Sequence, residues 1–494
     1  MSTVDTGRLD ELRRALLEQR VRVAGSCPAD EPHAVTSRNA SGPLPVSASQ
    51  AHLWRLSQLA PESLAYNELI EIRKTGAIDV EAVQRALSVV VSRHENWRTT
   101  FACVDGVPHQ FVGEPTEIDV PLLDLSSLEP EEAEQRATGI AVADAARPFD
   151  LACGPLMRAR LIRITDDDHR LYLGMHHVIF DGVTLQRVLL PELIAAYRAY
   201  ATGQALSLPE PAAQYSDYTV WQQDWLSGPT AAARIARCRA RLAGVTPTQL
   251  PIDHPRPARR RFTGGTIALT VEHATVEALR DAARRVGGTF FHALAAAYAW
   301  WLHRYTESTD VVFATPHDLR QHKRLFTVAG YCATPVVVRC EVTGQETFIE
   351  LLDRMRRVVT DAISDAVPLE TLVAELGVPE ALENFQLFQT QLNLEPPMTS
   401  PADDWSLHLG EANIGNAMGS TKFDINIELD ERTDGHLAGR FFFSTELFDP
   451  HTAQDMAAHL ERLLEAAAGA PDIPIAQYDV GLRGLTTLPG RRRA

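Results

Sequence analysis

Apolar positions along the chain follow two different periods, which predict both helices and strands. Spacings of three and four residues predict helices over residues 47–59 and 80–94, and residues 67–76 between them are typical of a strand. Residues 169–180 are rich in β-forming side chains, and residues 183–203 return to the helical period. Helices alternating with strands favour a mixed α/β fold.

The second half of the chain repeats this order of elements, which predicts a second lobe related to the first. The helical period recurs over residues 276–287, 290–305 and 451–469. Strand-like segments lie between these helices, over residues 310–316, 334–342, 423–431 and 437–448. Proline-rich segments at 208–214 and 250–265 mark candidate linkers. The predicted units are an N-terminal helix with a flexible connector, a first lobe and a second lobe, over residues 1–40, 41–222 and 223–494.

The composition of the 494-residue chain is that of a folded globular protein, since 45% of its residues are hydrophobic and 22% are charged. Its 47 basic and 64 acidic residues leave a net charge of −17, which disfavours nucleic acid and anionic membranes as partners. No apolar run reaches the ~18 residues that a membrane span requires. We therefore expect a cytoplasmic protein that binds neither nucleic acid nor membrane.

Motifs for common nucleophiles, cofactors and metals are missing from the sequence. It contains no GxSxG, no P-loop, no HExxH and no GxGxxG after a strand. The cysteines lie far apart, without CxxC pairing, and are expected to be reduced; they are Cys27, Cys103, Cys153, Cys238, Cys332 and Cys340. We expect no metal site and no cofactor bound by the chain itself.

The segment HHVIFDG, residues 176–182, carries the strongest chemical signal. If it is extended, the side chains of His176 and His177 point to opposite faces, so only one imidazole faces a given cleft. An imidazole can accept a proton from an attacking amine or hydroxyl, or position it. Asp181 could orient that imidazole or form a buried ion pair, and Gly182 offers a backbone free to turn. The structural alternative is two core histidines followed by an aspartate helix cap.

Further segments resemble the motifs of one enzyme family, in the order in which the family has them. They are SASQAHLW at 47–54, RHENWRTTF at 93–101, YSDYTVWQ at 215–222, AGYCAT at 329–334, VPLETLV at 367–373 and FQTQLN at 388–393. Together with HHVIFDG, they resemble the condensation domains of nonribosomal peptide synthetases, whose superfamily signature is HHxxxDG. The resemblance covers nearly the whole chain.

The resemblance implies an α/β fold of two chloramphenicol-acetyltransferase-like lobes, arranged as a V-shaped pseudo-dimer with the active site at their interface. The implied catalytic residues are His176, His177, Asp181 and Gly182. Among them, His177 is expected to face the nucleophile, and Asp181 is expected to pair with Arg320 of the second lobe. Glu95 and Arg98 are expected to pair with each other and to shape the wall beside the histidines.

The same resemblance implies the substrates. A donor acyl or aminoacyl thioester would arrive on the phosphopantetheine arm of a peptidyl or acyl carrier protein. The acceptor would be an amine or an alcohol, either carrier-bound or free. Because no carrier-protein or adenylation motif is found in the chain, we expect a free-standing, monomeric condensation enzyme of secondary metabolism that meets its carrier in trans.

Two other functions stay open at this stage. Val183 and Thr184 follow the motif where the family usually has Trp and Ser, and a valine there is reminiscent of epimerisation domains. Ala333 stands where the family has Asn, and this loss lends some weight to a non-catalytic recruitment module that keeps the fold. The intact His176, His177 and Asp181 favour the condensation enzyme.

Overall fold

The computed structural model describes residue 35 and residues 42–377, 387–395, 400–409, 418–432 and 435–478. The predicted N-terminal helix lies outside the described residues. In the described part of the chain, strands β1 to β14 are Leu44–Pro45, Asn67–Thr75, Thr99–Val104, Val107–Val112, Leu122–Asp124, Met157–Thr165, Asp168–His176, Gly264–Val271, Asp310–Asp318, Ala333–Glu341, Thr390–Glu395, Trp405–Leu409, Ile425–Glu431 and Leu437–Ser444.

These strands form two main sheets, one in each lobe. The sheet of the first lobe has the order β12-β2-β7-β6-β5, and the sheet of the second lobe has the order β10-β9-β11-β13-β14-β8. Both sheets are mixed, because β5 runs parallel to β6 and β11 runs parallel to its neighbours β9 and β13. A small third sheet joins β1, β4 and β3. This architecture confirms the predicted two-lobed, mixed α/β fold.

Most of the helices predicted from the sequence are present in the structure. In the described residues, the α-helices are Ala48–Leu59, Val80–Arg93, Pro130–Ala145, Gly182–Thr184, Leu190–Ala201, Tyr215–Leu226, Pro229–Arg241, His273–Arg285, Phe290–Thr306, Phe348–Ser364, Leu369–Leu376 and Pro450–Gly469. The first begins with a capping box: the Gln50 amide donates to Ser47 Oγ, and the Ser47 amide donates to Gln50 Oε1. The helix predicted over residues 183–203 is less regular, since Leu185–Leu189 forms a π-helical turn.

The core of the second lobe is built around helix Phe290–Thr306. Its residues from Ala293 to Leu302 are all buried, and the indole rings of Trp300 and Trp301 have no exposed surface. A helix that is apolar on every side has to be covered on every side. The amphipathic helices Phe348–Ser364 and Pro450–Gly469 pack in the same hydrophobic cluster as this central helix.

The two lobes are not divided cleanly along the chain. The boundary predicted between residues 222 and 223 falls inside helix Tyr215–Leu226. In addition, β12 comes from the late part of the chain but pairs antiparallel with β2, at the edge of the first lobe's sheet. Within the described ranges, no helix combines the length and the apolar character that crossing a membrane requires.

Candidate active site between the lobes

A cavity of about 370 Å³ lies between the lobes, lined by side chains from both. Residues of β2 and of the HHVIFDG segment line it from the first lobe, and residues of β9 to β11, β13 and β14 line it from the second. The residues that matter for its chemistry are Glu68, His177, Gly182, Tyr331, Glu395 and Lys422. His177 lines the cavity and His176 does not, so only one of the two imidazoles faces it, as expected.

The backbone of the HHVIFDG segment is only partly extended. Strand β7 ends at His176, and His177 opens a short 3-10 turn that runs to Ile179. The strand predicted to reach residue 180 is therefore shorter, because the Val178 amide donates to His176 Nδ1 at 3.2 Å and closes the turn. The His177 amide donates to the Tyr66 carbonyl at 2.8 Å, which fixes this turn to the residue before β2.

His177 presents its outer ring nitrogen, Nε2, to the cavity. Its Nδ1 lies 2.8 Å from the carbonyl oxygen of Phe180. Because a carbonyl can only accept a hydrogen bond, Nδ1 carries the proton and Nε2 carries the lone pair of the neutral ring. The imidazole packs against the rings of Phe180 and Tyr331, at centroid distances of 4.9 and 4.8 Å. Burial lowers the pKa of His177, and the nearby Lys422 lowers it further, so the ring is neutral at pH 7.

His176 has a different environment. Its ring meets Phe149 edge-on at a centroid distance of 6.3 Å, and its Nδ1 is used by the Val178 amide. Burial, aided by His177, lowers the pKa of His176 to about 3. This imidazole is therefore a neutral part of the core that holds the turn in place.

Asp181 is bound on both carboxylate oxygens. Its Oδ1 accepts from the Thr184 amide at 2.9 Å and from Arg320 Nη2 at 3.0 Å, while its Oδ2 accepts from Arg320 Nη1 at 2.8 Å and from the Cys332 amide at 2.9 Å. The expected ion pair with Arg320 is thus present. Burial opposes ionisation of Asp181, but Arg320 outweighs it and lowers the pKa of the carboxyl. The carboxylate is used for joining the lobes and does not hydrogen-bond to His177.

Gly182, the last residue of the HHVIFDG segment, is also the first residue of the short helix Gly182–Thr184. Its backbone is not in the left-handed region that favours glycine. The expectation that Gly182 supplies a special turn is therefore wrong. Gly182 borders the cavity, where an added Cβ would lie at an ordinary contact distance of 3.6 Å from Glu395 Oε2. Glu395 is a cavity residue that no sequence motif indicates; burial and the nearby Glu428 raise the pKa of its carboxyl to about 7.

The expected pair between Glu95 and Arg98 does not form. Glu95 instead accepts a hydrogen bond from Ser216 Oγ at 2.8 Å, and Arg98 donates to the Gly113 carbonyl. Neither side chain is among those that line the cavity. Asn96, which lies between Glu95 and Arg98 in the sequence, contacts the HHVIFDG segment directly: its Nδ2 donates to the Ile179 carbonyl at 2.7 Å.

A second group that no sequence motif indicates lies beside His177. Glu68 Oε1 is 3.9 Å from His177 Nε2, and Lys422 Nζ is 2.5 Å from the same oxygen. Burial works against the ionised form of Glu68, but Lys422 and His177 outweigh it and lower the pKa of Glu68. The sequence gives no signal that singles out Glu68, because β2 also contains Glu71, Arg73 and Lys74.

Two further points of the sequence analysis concern Ala333 and metal ligands. Ala333 lines it, so no amide side chain is present at the position where the resembling family has Asn. Among the residues that the structure describes, no three His, Cys, Asp or Glu side chains are grouped in a way that could hold a metal ion.

Comparisons with known proteins identify the family of this chain. The family model "Condensation domain" matches residues 40–482. A linear gramicidin synthase protein from Brevibacillus parabrevis is 35% identical over 435 residues, 87% of this chain and 6% of that protein. Phosphinothricin tripeptide synthetase PhsC from Streptomyces viridochromogenes is 33% identical over 481 residues, 96% of this chain and 43% of that protein. The chain thus spans less than half the length of these two relatives.

A solved structure shares the two-lobed fold. The complex of the X-domain and OxyB from teicoplanin biosynthesis matches with a TM-score of 0.78 at 26% identity, covering 92% of this chain and 99% of that chain. The family match extends over nearly all the described residues and includes the HHVIFDG segment. This chain belongs to the condensation-domain family of nonribosomal peptide synthesis.

Proposed function

We propose that this chain is a condensation enzyme, which transfers the acyl group of a carrier-bound thioester to an amine or hydroxyl acceptor. The observation that carries the proposal is the orientation of His177. Its Nδ1–H is held by the Phe180 carbonyl at 2.8 Å, so the lone pair of the neutral ring is on Nε2, beside the cavity between the lobes.

In the proposed reaction, the acceptor nitrogen or oxygen forms a bond to the thioester carbon, and the bond from that carbon to sulfur breaks. Nε2 of His177 accepts the proton that the acceptor loses. That proton then passes to the leaving thiolate, so the carrier arm departs as a thiol. The lowered pKa of His177 supports this role, because a neutral imidazole can accept a proton at pH 7.

Asp181 and His176 have positioning roles in this proposal. Both carboxylate oxygens of Asp181 are occupied by groups other than the imidazole, and its pairing with Arg320 fixes the motif against the second lobe. His176 holds the turn that presents His177. Orientation of the acceptor against the thioester then supplies much of the rate enhancement.

The donor arrives on the phosphopantetheine arm of a peptidyl or acyl carrier protein, and the condensation enzyme itself holds no cofactor. The family assignment supports a carrier-bound donor, and one of the two relatives is named a tripeptide synthetase. The cavity is bounded by both lobes, which suits an arm that enters between them.

The proposal is tested by mixing the purified chain with acyl- and aminoacyl-loaded carrier proteins and a panel of amine and alcohol acceptors. Intact-mass spectrometry should detect a product that combines the donor acyl group with the acceptor, together with free carrier thiol. His177→Ala should lower turnover about 10²–10⁴-fold without changing the unfolding temperature. Near-wild-type turnover of His177→Ala, under conditions where the chemical step limits the rate, would contradict the role of His177. The absence of product across the whole panel would contradict the proposed condensation activity.

A second candidate function is recruitment of another protein without bond formation. The observation that favours it is the similarity to an X-domain solved in complex with OxyB. A recruitment module should bind a partner enzyme of its pathway equally well as the wild type and as His177→Ala, and neither protein should form product. Binding together with His177-dependent product formation would exclude recruitment as the sole function.

A further inference from the structure

One carboxylate on the cavity wall lies beside the reactive nitrogen of His177. Glu68, on β2, places its Oε1 atom 3.9 Å from His177 Nε2, and 35% of its side-chain surface is exposed. The separation is too long for a direct hydrogen bond. A single nitrogen or oxygen atom between the two groups, however, could lie within hydrogen-bond distance of both.

Lys422 holds this carboxylate in place from the other lobe. Its Nζ lies 2.5 Å from Glu68 Oε1, and its charge keeps Glu68 ionised. An ionised carboxylate has no proton and can only accept hydrogen bonds. Since a carboxylate offers about four lone-pair sites, the bond from Lys422 leaves Glu68 able to accept another.

Two hydrogen-bond acceptors therefore converge on one place in the cavity: Nε2 of the neutral His177 ring and Oε1 of Glu68. An amine or ammonium nitrogen carries two or more protons, so it can donate to both acceptors at once. A hydroxyl group carries one proton and can donate to only one of them.

We propose that Glu68 is an acceptor-binding residue that selects an amine over a hydroxyl, by accepting a second hydrogen bond from the same nitrogen that faces His177 Nε2. This inference rests on the proposed function, and it makes that function more specific. The acceptor is an amine, and the product is an amide rather than an ester.

The test compares two unreactive acceptor analogues that differ in one group. They are the L-alanyl and L-lactyl amides of pantetheine in which an amine replaces the thiol, so that one carries an α-amino group and the other an α-hydroxyl group. Isothermal titration calorimetry with the full chain should show about tenfold or tighter binding of the alanyl analogue. Glu68→Gln should lose that preference, with the affinity for the lactyl analogue changed by less than about twofold.

The matched control is Glu134→Gln. Glu134 is also a partly exposed carboxylate paired with a basic side chain, Arg170 at 2.6 Å, but it lies outside the cavity lining. This variant should keep the preference of the wild type. An equal affinity of the wild type for both analogues, or a preference that survives in Glu68→Gln, would overturn the role of Glu68.

The binding measurement also separates this inference from the proposed function. Because the analogues cannot react, a chain that forms no product but binds the amine in a Glu68-dependent way would contradict only the proposed catalysis. A chain that forms product, but whose preference for amine acceptors is unchanged in Glu68→Gln, would contradict only the inference.

Discussion

Arg320 binds both carboxylate oxygens of Asp181 across the interface between the lobes, at 2.8 and 3.0 Å. The side chain of Arg320 has no exposed surface, and that of Asp181 is 5% exposed. Arg320 also donates to the carbonyl groups of Val328 and Gly330, at the start of the AGYCAT segment. The ion pair therefore fastens the HHVIFDG segment of one lobe to a turn of the other through buried contacts, where the loss of one partner is costly.

Removal of Arg320 should strand Asp181 as a buried carboxylate without a counter-ion, whereas removal of Asp181 leaves Arg320 with a second ion-pair partner, Asp318 at 2.8 Å. We expect Arg320→Met to lower the free energy of unfolding by about 3–5 kcal/mol and Asp181→Ala to lower it by less, because Arg320 keeps its ion pair with Asp318. The double variant should lose less than the sum of the two single variants, because the second substitution removes the stranded charge. Denaturant unfolding of all four proteins provides the measurement, and strictly additive losses would show that the pair is not coupled.

His176 should make the folded chain less stable in acid. Its pKa is about 3 in the folded protein, against an ordinary value of 6.5, because burial opposes the charged ring. Between these values the unfolded chain binds a proton that the folded chain excludes, so the free energy of unfolding falls as the pH falls, by up to about 1.4 kcal/mol per pH unit. His176→Asn keeps an acceptor for the Val178 amide but does not titrate.

Urea unfolding of the wild type and His176→Asn at several pH values should therefore give different slopes. The slope of unfolding free energy against pH, between about pH 4 and pH 6, should be smaller in the variant by about the contribution of one proton. Equal slopes would mean that His176 is not the residue that excludes the proton.

Gly330 should tolerate no side chain. Its φ is +156°, and a Cβ there would lie 1.9 Å from the ring of Tyr215, whose hydroxyl donates to the Tyr331 carbonyl at 2.6 Å. Gly330→Ala should lower the free energy of unfolding by about 1–3 kcal/mol and should also lower turnover, because Tyr331 packs against His177. The control is Gly139→Ala, in helix Pro130–Ala145, where an added Cβ would have no neighbouring heavy atom within 4 Å. This variant should leave the free energy of unfolding unchanged or slightly raised. Thermal unfolding compares the two; equal effects would contradict the clash.

Much of the two-lobed fold was predictable because many of its helices and strands have a local signal. The period of apolar residues is read from neighbouring residues, as over residues 47–59 and 80–94. The end of β7 was not predictable, since it depends on a bond from the Val178 amide to a side chain, His176 Nδ1. The crossing of β12 into the first lobe was likewise missed, because strand pairing over more than 300 residues leaves no trace in the local pattern.

The candidate site was predictable only as far as the motif reaches. His177, Asp181 and Arg320 were found from motif positions, and the buried ion pair formed as expected. Glu68 was missed because its place beside His177 follows from the register of β2 on β7, where Asn67 lies opposite His176. Motif similarity also gave the wrong partner for Glu95, since it does not say that Ser216 lies within reach of that carboxylate.

The charges beside His177 should tune its pKa in opposite directions. Burial lowers this pKa most, the positive charge of Lys422 lowers it further, and Glu68 raises it. Lys422→Met should therefore raise the pKa of His177, and Glu68→Gln should lower it, relative to the wild type. The acid limb of the turnover profile should move in the same directions, because only the neutral ring can accept the proton. NMR titration of the His177 ring, assigned by comparison with His177→Ala, measures the shifts directly. Shifts of the same sign in both variants would mean that repacking around the ring, rather than the two charges, sets its protonation.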